Sequence, residues 1–140
     1  MKRILSLDIG DRRIGVAMSD TLGILATPLT ILDRKNEVQD FASITALVNK
    51  YDVGLILAGL PRSLSGGIGH QAKKVQAFVE KLRQQASVPV ELRDERFTTV
   101  DAQRLMREAA KKKKKVKVHD DAAAAAVLLQ AYLDEISARK

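Results

Sequence analysis

The chain has 140 residues, of which 46% are hydrophobic and 29% charged, so it can bury a core and lacks the composition of a disordered protein. Cysteine is absent, which excludes disulfides, thiolate metal sites and a cysteine nucleophile. The net charge of +7 favours a polyanionic partner, while an aromatic content of only 4% argues against a platform for stacking bases.

No apolar run approaches the length of a membrane span, and Met1-Lys2-Arg3 leads directly into an apolar strand rather than a signal peptide. We therefore expect one cytoplasmic domain over residues 1–140. Three strands are predicted first, over residues 3–9, 13–19 and 24–33. The two connections between them are too short for crossover helices, so the strands should be antiparallel neighbours.

The third of these strands contains Pro28, which cannot donate a ladder hydrogen bond and so predicts an edge strand or a bulge. Helical periodicity follows, with Asn36 as a candidate cap of the first helix. The continuous apolar run at 53–58 predicts a strand covered on both faces. A second amphipathic helix is expected over 72–82, and a last strand from Pro89 toward Asp94.

The remaining segments include a glycine-rich loop at 59–69 and a third helix that begins with a capping box at Thr98. A lysine-rich loop at 111–117 and a final helix from Asp120 complete the chain. This order predicts an α/β fold. We expect a mixed five-stranded sheet, with three antiparallel strands followed by parallel strands, flanked by helices on both faces.

Acidic residues stand at the ends of three apolar elements: Asp8 in the first strand, Asp94-Glu95 in the last, and Asp120-Asp121 in the final helix. A carboxylate inside a hydrophobic strand is costly unless its charge is compensated, and sites in open α/β sheets lie at the carboxyl ends of strands. Converging carboxylates in a basic protein are typical of a divalent-metal site, and hard oxygen ligands suit Mg²⁺ or Mn²⁺. The alternative is a solvated strand-end acid together with ordinary helix caps.

At these positions the chain resembles the YqgF family, also called RuvX, of nucleases with a ribonuclease H-like fold. The resemblance covers nearly the whole chain, and its most specific motif is Asp94-Glu95-Arg96-Phe97-Thr98-Thr99. The other matching segments are Leu7-Asp8-Ile9-Gly10, Arg13-Ile14-Gly15-Val16-Ala17, Ser19-Asp20, Gly59-Leu60-Pro61, and Asp121 with Ala124-Ala125, Leu129-Gln130 and Tyr132-Leu133.

The resemblance implies processing of the 5′ end of pre-16S ribosomal RNA, with Asp8, Glu95 and Asp121 as the catalytic acids that hold the metal. Two positions stay open. Asp94 remains a candidate beside Glu95, because a central strand buried on both faces gives little alternation with which to choose between them. Asp120 remains the alternative to Asp121, either as a second acid or as a helix cap.

Nucleic-acid contacts are expected from basic residues in the loops, since contacts to phosphates need charge but no sequence reading. The alternative is that these residues belong to solvated loops, and His70 and His119 are expected to be surface residues. The candidate contacts are Arg62, Arg96, Lys111, Lys112, Lys113, Lys114, Lys115 and Lys117.

The expected partner is nucleic acid, either structured RNA or branched DNA, bound by a monomer or a homodimer. A Holliday junction resolvase is the nearest alternative to an RNA-processing enzyme, because the same two-metal hydrolysis serves both. A non-catalytic nucleic-acid-binding factor is a further alternative, against which the three intact acids argue.

Overall fold

The computed structural model describes residues 2–61, 69–94 and 120–139. The helix predicted from Thr98 and the lysine-rich loop at 111–117 lie outside these ranges. The described elements are β1 (Arg3–Ile9), β2 (Arg13–Ser19), β3 (Ala26–Asp33), α1 (Glu37–Lys50), β4 (Val53–Leu60), α2 (His70–Gln85), β5 (Val90–Asp94) and α3 (Asp120–Ala138).

The strands form one five-stranded sheet in the order β3-β2-β1-β4-β5. Strands β1, β2 and β3 pair antiparallel, whereas β4 pairs parallel with β1 and with β5, which confirms the predicted mixed sheet. Strand β3 lies at an edge, and the register shifts where Ala17 pairs with Pro28 while Val16 pairs with Thr30. Pro28 therefore marks both an edge strand and an irregularity, as its missing N–H predicts.

The first hydrophobic core lies between the sheet and helices α1 and α2. Leu7 and Ile56 are fully buried there, and the rings of Phe41 and Phe78 meet with their centroids 4.9 Å apart. Helix α1 begins as predicted, because the side chain of Asn36 accepts a hydrogen bond from the backbone N–H of Gln39.

The second core lies between the opposite face of the sheet and α3. Ile4, Ala17 and Leu57 pack there against Ala125 and Leu129 of the helix. Successive residues of the strands thus alternate between the two cores, and helices cover both faces of the sheet as predicted. None of the helices in the described ranges is long and apolar enough to cross a membrane.

Strand β3 begins at Ala26, two residues later than the apolar pattern suggests, because polar groups hold the preceding residues in a loop. The carboxylate of Asp20 accepts the backbone N–H of Ile24 at 2.9 Å. The side chain of Gln130 in α3 donates to the carbonyl of Ile24 and accepts the N–H of Ala26. The hydrogen bond from Ile24, with further backbone donors from Leu25 and its neighbours, lowers the pKa of Asp20 against the opposing effect of burial.

We predict that Asp20→Asn destabilises the protein at neutral pH and that the difference from the parent shrinks in acid. Since the folded pKa of Asp20 is lowered, its stabilising contribution is present above the unfolded pKa of about 3.9 and is lost as the pH falls through the folded pKa. Urea denaturation of both proteins between neutral and strongly acidic pH measures this difference. A difference that does not change with pH would contradict the assigned role of the carboxylate.

Candidate active site

Asp8 lies near the carboxyl end of β1, the central strand of the sheet. Ile4 and Ser6 precede it at a spacing of two residues, and both face α3: Ile4 belongs to the core beneath that helix, and Ser6 contacts its backbone. Because side chains alternate along a strand, Asp8 lies on the α3 face, whereas Leu7 belongs to the α1–α2 core. A rigid, central strand therefore carries this carboxylate.

The strands on both sides of Asp8 carry glycine next to it. On β2, the residue paired with Asp8 is Gly15. On β4, Leu7 pairs with Ala58, so that Gly59 follows at the level of Asp8. Neither neighbouring strand thus brings a side chain to the α3 face beside the carboxylate. Glycine inside a strand often marks a place where a ligand approaches closely.

Helix α3 runs antiparallel to β1. The buried hydroxyl of Ser6 donates a hydrogen bond of 2.9 Å to the carbonyl of Ala125. Five residues later, Gln130 binds the backbone of Ala26 at the end of the sheet where β1 begins. The helix therefore passes from the level of Ser6 toward the start of β1, and its first turn points toward the carboxyl end of that strand.

The first turn of α3 reaches the level of Asp8. From Ala125 back to Asp121 the helix rises by about 6 Å, and from Ser6 to Asp8 the strand advances by about 6.6 Å in the same direction. The backbone that carries Asp120 and Asp121 therefore starts at the same end of the sheet as Asp8.

Strand β5 is the second edge of the described sheet, so the expectation that it is central is wrong. The face of the sheet on which each residue of β5 lies can be assigned from the pairing of β5 with β4. Asp94 pairs with Leu60, which belongs to the α1–α2 core, and Asp94 therefore lies on that face. Asp8 and Asp94 thus lie on opposite faces of the sheet.

The α3 face of β5 is occupied by a polar cluster between the strand and the helix. The hydroxyl of Tyr132 donates to Glu91 at 3.0 Å, and the guanidinium of Arg93 lies 5.0 Å from the centroid of the Tyr132 ring. Arg93 also forms an ion pair with Glu135. Burial raises the pKa of Tyr132, and the hydrogen bond to Glu91 adds to this shift. The cluster fixes α3 to the edge of the sheet.

Several of the predicted site residues lie outside the described part of the chain, and of Asp120 and Asp121 only the helical backbone is described. His70 opens α2 at the surface, as expected. Among the side chains that the structure describes, no three acids or histidines form a group able to hold a metal ion. The residues outside the described ranges are Arg62, Glu95, Arg96, Lys111 to Lys115, Lys117 and His119.

The described part of the site fits a hard divalent cation. Its donor is the oxygen of a carboxylate on a central strand, and glycine on both neighbouring strands means that neither strand places a side chain beside this carboxylate. Sequence reasoning did not single out Ser6, Gly15 or Gly59 as parts of the site. The signal for Ser6 was a polar residue two positions before Asp8, and hence on the same strand face.

The fold defines the class of protein. The structure superimposes on RuvC of T. thermophilus in complex with a Holliday junction substrate with a TM-score of 0.60 at 13% identity, covering 97% of this chain and 96% of that chain. The Fowlpox virus resolvase in complex with Holliday junction DNA gives a TM-score of 0.59 at 14% identity, covering 96% of this chain and 98% of that chain. At such identities the likeness shows the fold, and it confirms the predicted ribonuclease H-like class.

The family follows from the sequence. The RuvX family model, described as a Holliday junction resolvase, matches residues 2–135, and the chain belongs to this family. It is 46% identical over 133 residues to a protein of Thermoanaerobacter pseudethanolicus, covering 94% of this chain and 96% of the relative. A protein of Clostridium acetobutylicum is 46% identical over 134 residues, with 96% and 99% covered. Both are named "Putative pre-16S rRNA nuclease". The membership confirms the predicted enzyme class, a hydrolase of phosphodiester bonds.

Proposed function

We propose that the chain is a Mg²⁺- or Mn²⁺-dependent nuclease that processes the 5′ end of pre-16S ribosomal RNA in the cytoplasm. The observation that supports this most strongly is the position of Asp8. It lies on the α3 face of the central strand, between two glycines, at the level of the first turn of α3. The names of the two bacterial relatives favour the ribosomal substrate.

Asp8, Glu95 and Asp121 are the proposed metal ligands. When bound, divalent ions would ready a water for attack and stabilise the leaving oxygen of the phosphodiester. The residues of the chain supply position: β1 is held between two strands, so its carboxylate needs little reordering when substrate arrives. The glycine positions beside Asp8 leave room for a phosphate.

Glu95 is the proposed ligand from the β5 segment because Asp94 lies on the α1–α2 face, away from Asp8. Side chains of consecutive strand residues point to opposite faces, so a ligand on the Asp8 side is expected one position before or after Asp94. The preceding position is Arg93, a cation. The acid that follows is Glu95.

A resolvase that cuts branched DNA is the second candidate. The family description and the fold shared with two resolvases favour it. Cleavage of pre-16S RNA and of a four-way DNA junction by the same purified protein, with Mg²⁺ or Mn²⁺, separates the two. Faster cleavage of the RNA at its 5′ end supports the proposal, and cleavage of the junction alone overturns the substrate. The phosphate contacts by Arg62, Arg96 and the lysine run stay a prediction.

We predict that Asp8→Asn lowers the rate of cleavage by about two orders of magnitude or more, since it removes a charged ligand while keeping the shape of the side chain. The binding of Mn²⁺, measured by calorimetry, should weaken together with the rate of cleavage. Thermal unfolding without metal should stay unchanged or improve, because removing one carboxylate relieves repulsion within the cluster.

The control for this prediction is Asp33→Asn, which neutralises an exposed carboxylate at the carboxyl end of β3. It should retain both cleavage and binding of Mn²⁺. If Asp8→Asn cleaves RNA and DNA at the rate of the parent, Asp8 is not a ligand. A parent that binds both nucleic acids but cleaves neither would favour the non-catalytic factor.

We also predict a contrast between two adjacent acids. Glu95→Gln should abolish cleavage and weaken Mn²⁺ binding, whereas Asp94→Asn should retain most of both, because Asp94 lies on the face opposite Asp8. Both variants remove one negative charge, so each serves as the control of the other. Loss of cleavage in Asp94→Asn with retention in Glu95→Gln would reverse the assignment.

A further inference from the structure

The turn that follows Asp8 meets the start of helix α2. The side-chain amide nitrogen of Gln71 donates to the carbonyl oxygen of Ile9 at 3.5 Å. The ammonium of Lys74 lies 3.5 Å from the carboxylate of Asp11. These contacts bring the first turns of α2 beside the loop that leaves β1. We call Arg12, Lys73 and Lys74, together with Asp11, the basic rim.

The basic rim carries positive charge that the described structure does not neutralise. Lys74 is paired with Asp11, but Arg12 and Lys73 are exposed and take part in no ion pair between described residues. Three other exposed cations of the described chain have carboxylate partners: Lys81 binds Glu37, Arg83 binds Glu80 and Arg139 binds Glu135. Lys35 and Lys50, which lie elsewhere on the surface, also form no ion pair between described residues. The rim therefore presents cations available to an external anion.

The turn in the rim is closed by its own backbone and is tightly packed at Gly10. Its backbone closes through a hydrogen bond of 2.9 Å from the N–H of Gly10 to the carbonyl of Arg13. A Cβ at Gly10 would lie 2.9 Å from that same oxygen, so a larger residue would force the turn to shift. The exposed guanidinium of Arg12 thus extends from a constrained backbone.

Arg34 holds the same turn from the side. Its backbone N–H donates to the carbonyl of Arg12 at 2.8 Å, and its guanidinium donates to the carbonyl of Gly10 at 3.0 Å. The guanidinium is itself fixed by the buried carboxylate of Asp40 at 3.2 Å, and it lies 4.8 Å from the ring centroid of Phe78. These contacts constrain the backbone that carries Arg12, so that less backbone freedom is lost when Arg12 binds an anion than from an unconstrained loop.

We propose that the basic rim is a nucleic-acid contact surface, in which Arg12 and Lys73 bind phosphates of the strand whose scissile phosphate lies at Asp8. This rests on the proposed function, since it assumes that substrate is bound at Asp8. The rim adjoins that position through Ile9 and Gly10, and two unneutralised cations suit the backbone of a polyanion rather than its bases. It extends the substrate surface across the end of the sheet toward α2.

The test measures the salt dependence of binding. The rim variant is Arg12→Gln/Lys73→Gln, and the charge-matched control is Lys2→Gln/Lys50→Gln, which removes two cations near the start of β1 and the end of α1. The charge-retaining variant is Arg12→Lys/Lys73→Arg. Fluorescence anisotropy, with EDTA to prevent cleavage, gives the affinity for a single-stranded RNA and for a four-way DNA junction over a series of KCl concentrations.

The rim variant should bind both probes roughly tenfold or more weakly at physiological salt. Its slope of log affinity against log salt should be shallower by roughly 1.4 for the RNA and roughly 1.8 for the junction, which corresponds to two lost phosphate contacts. The control and the charge-retaining variant should keep the slope of the parent. The melting temperature of the rim variant should match that of the parent, because the side chains of Arg12 and Lys73 are both exposed.

An unchanged slope in the rim variant, with normal binding by the parent, overturns the rim as a contact surface and leaves the proposed function standing. An equal loss of affinity in the control variant also overturns the rim as a contact surface, because the effect would then follow the net charge of the protein rather than the position of the cations. A parent that binds neither probe in a salt-dependent way contradicts the proposed function and the rim together.

Discussion

One buried hydrogen bond, from the hydroxyl of Ser6 to the carbonyl of Ala125, joins the first strand to the last helix across 119 positions of sequence. Leaving a buried hydroxyl unpaired costs about 1–3 kcal/mol, so a displacement of α3 along β1 is penalised. The contact fixes the level of the helix against the strand. Because Asp8 follows Ser6 by two residues and Asp121 precedes Ala125 by four, one contact aligns the two ends that carry the acids.

The side chains of α3 support this alignment. Between residues 122 and 127 it buries the small residues Ala122, Ala125 and Ala126, whereas from residue 128 onward it buries Leu128, Leu129 and Leu133. Small side chains let the helix backbone approach the sheet closely enough for the Ser6 hydroxyl to reach a backbone carbonyl. The larger leucines supply most of the apolar burial farther from the site. The alanine-rich composition of α3 thus has a positional reason as well as a high helix propensity.

Much of the fold is predictable from local patterns, because turn length, Pro28 and the Asn36 cap act within a few residues. The start of β3 is not predictable from local patterns, because the loop before this strand is held by Gln130 from the far end of the chain. The face of Asp94 is not predictable either. It depends on which strand β5 pairs with and in which register, and the apolar run alone does not encode this. The family resemblance named the acids, but only the sheet register separates Asp94 from Asp8.

The most direct test of the central claim is the position of a bound paramagnetic ion. In ¹⁵N-labelled protein titrated with Mn²⁺, the amide signals of residues 7–10 and 120–123 should broaden first, because both segments lie at the end of the sheet that carries Asp8. Signals near the end of α1 should persist. Broadening centred instead on Asp134 and Glu135 near the end of α3, or no localised broadening, would contradict a metal site at Asp8.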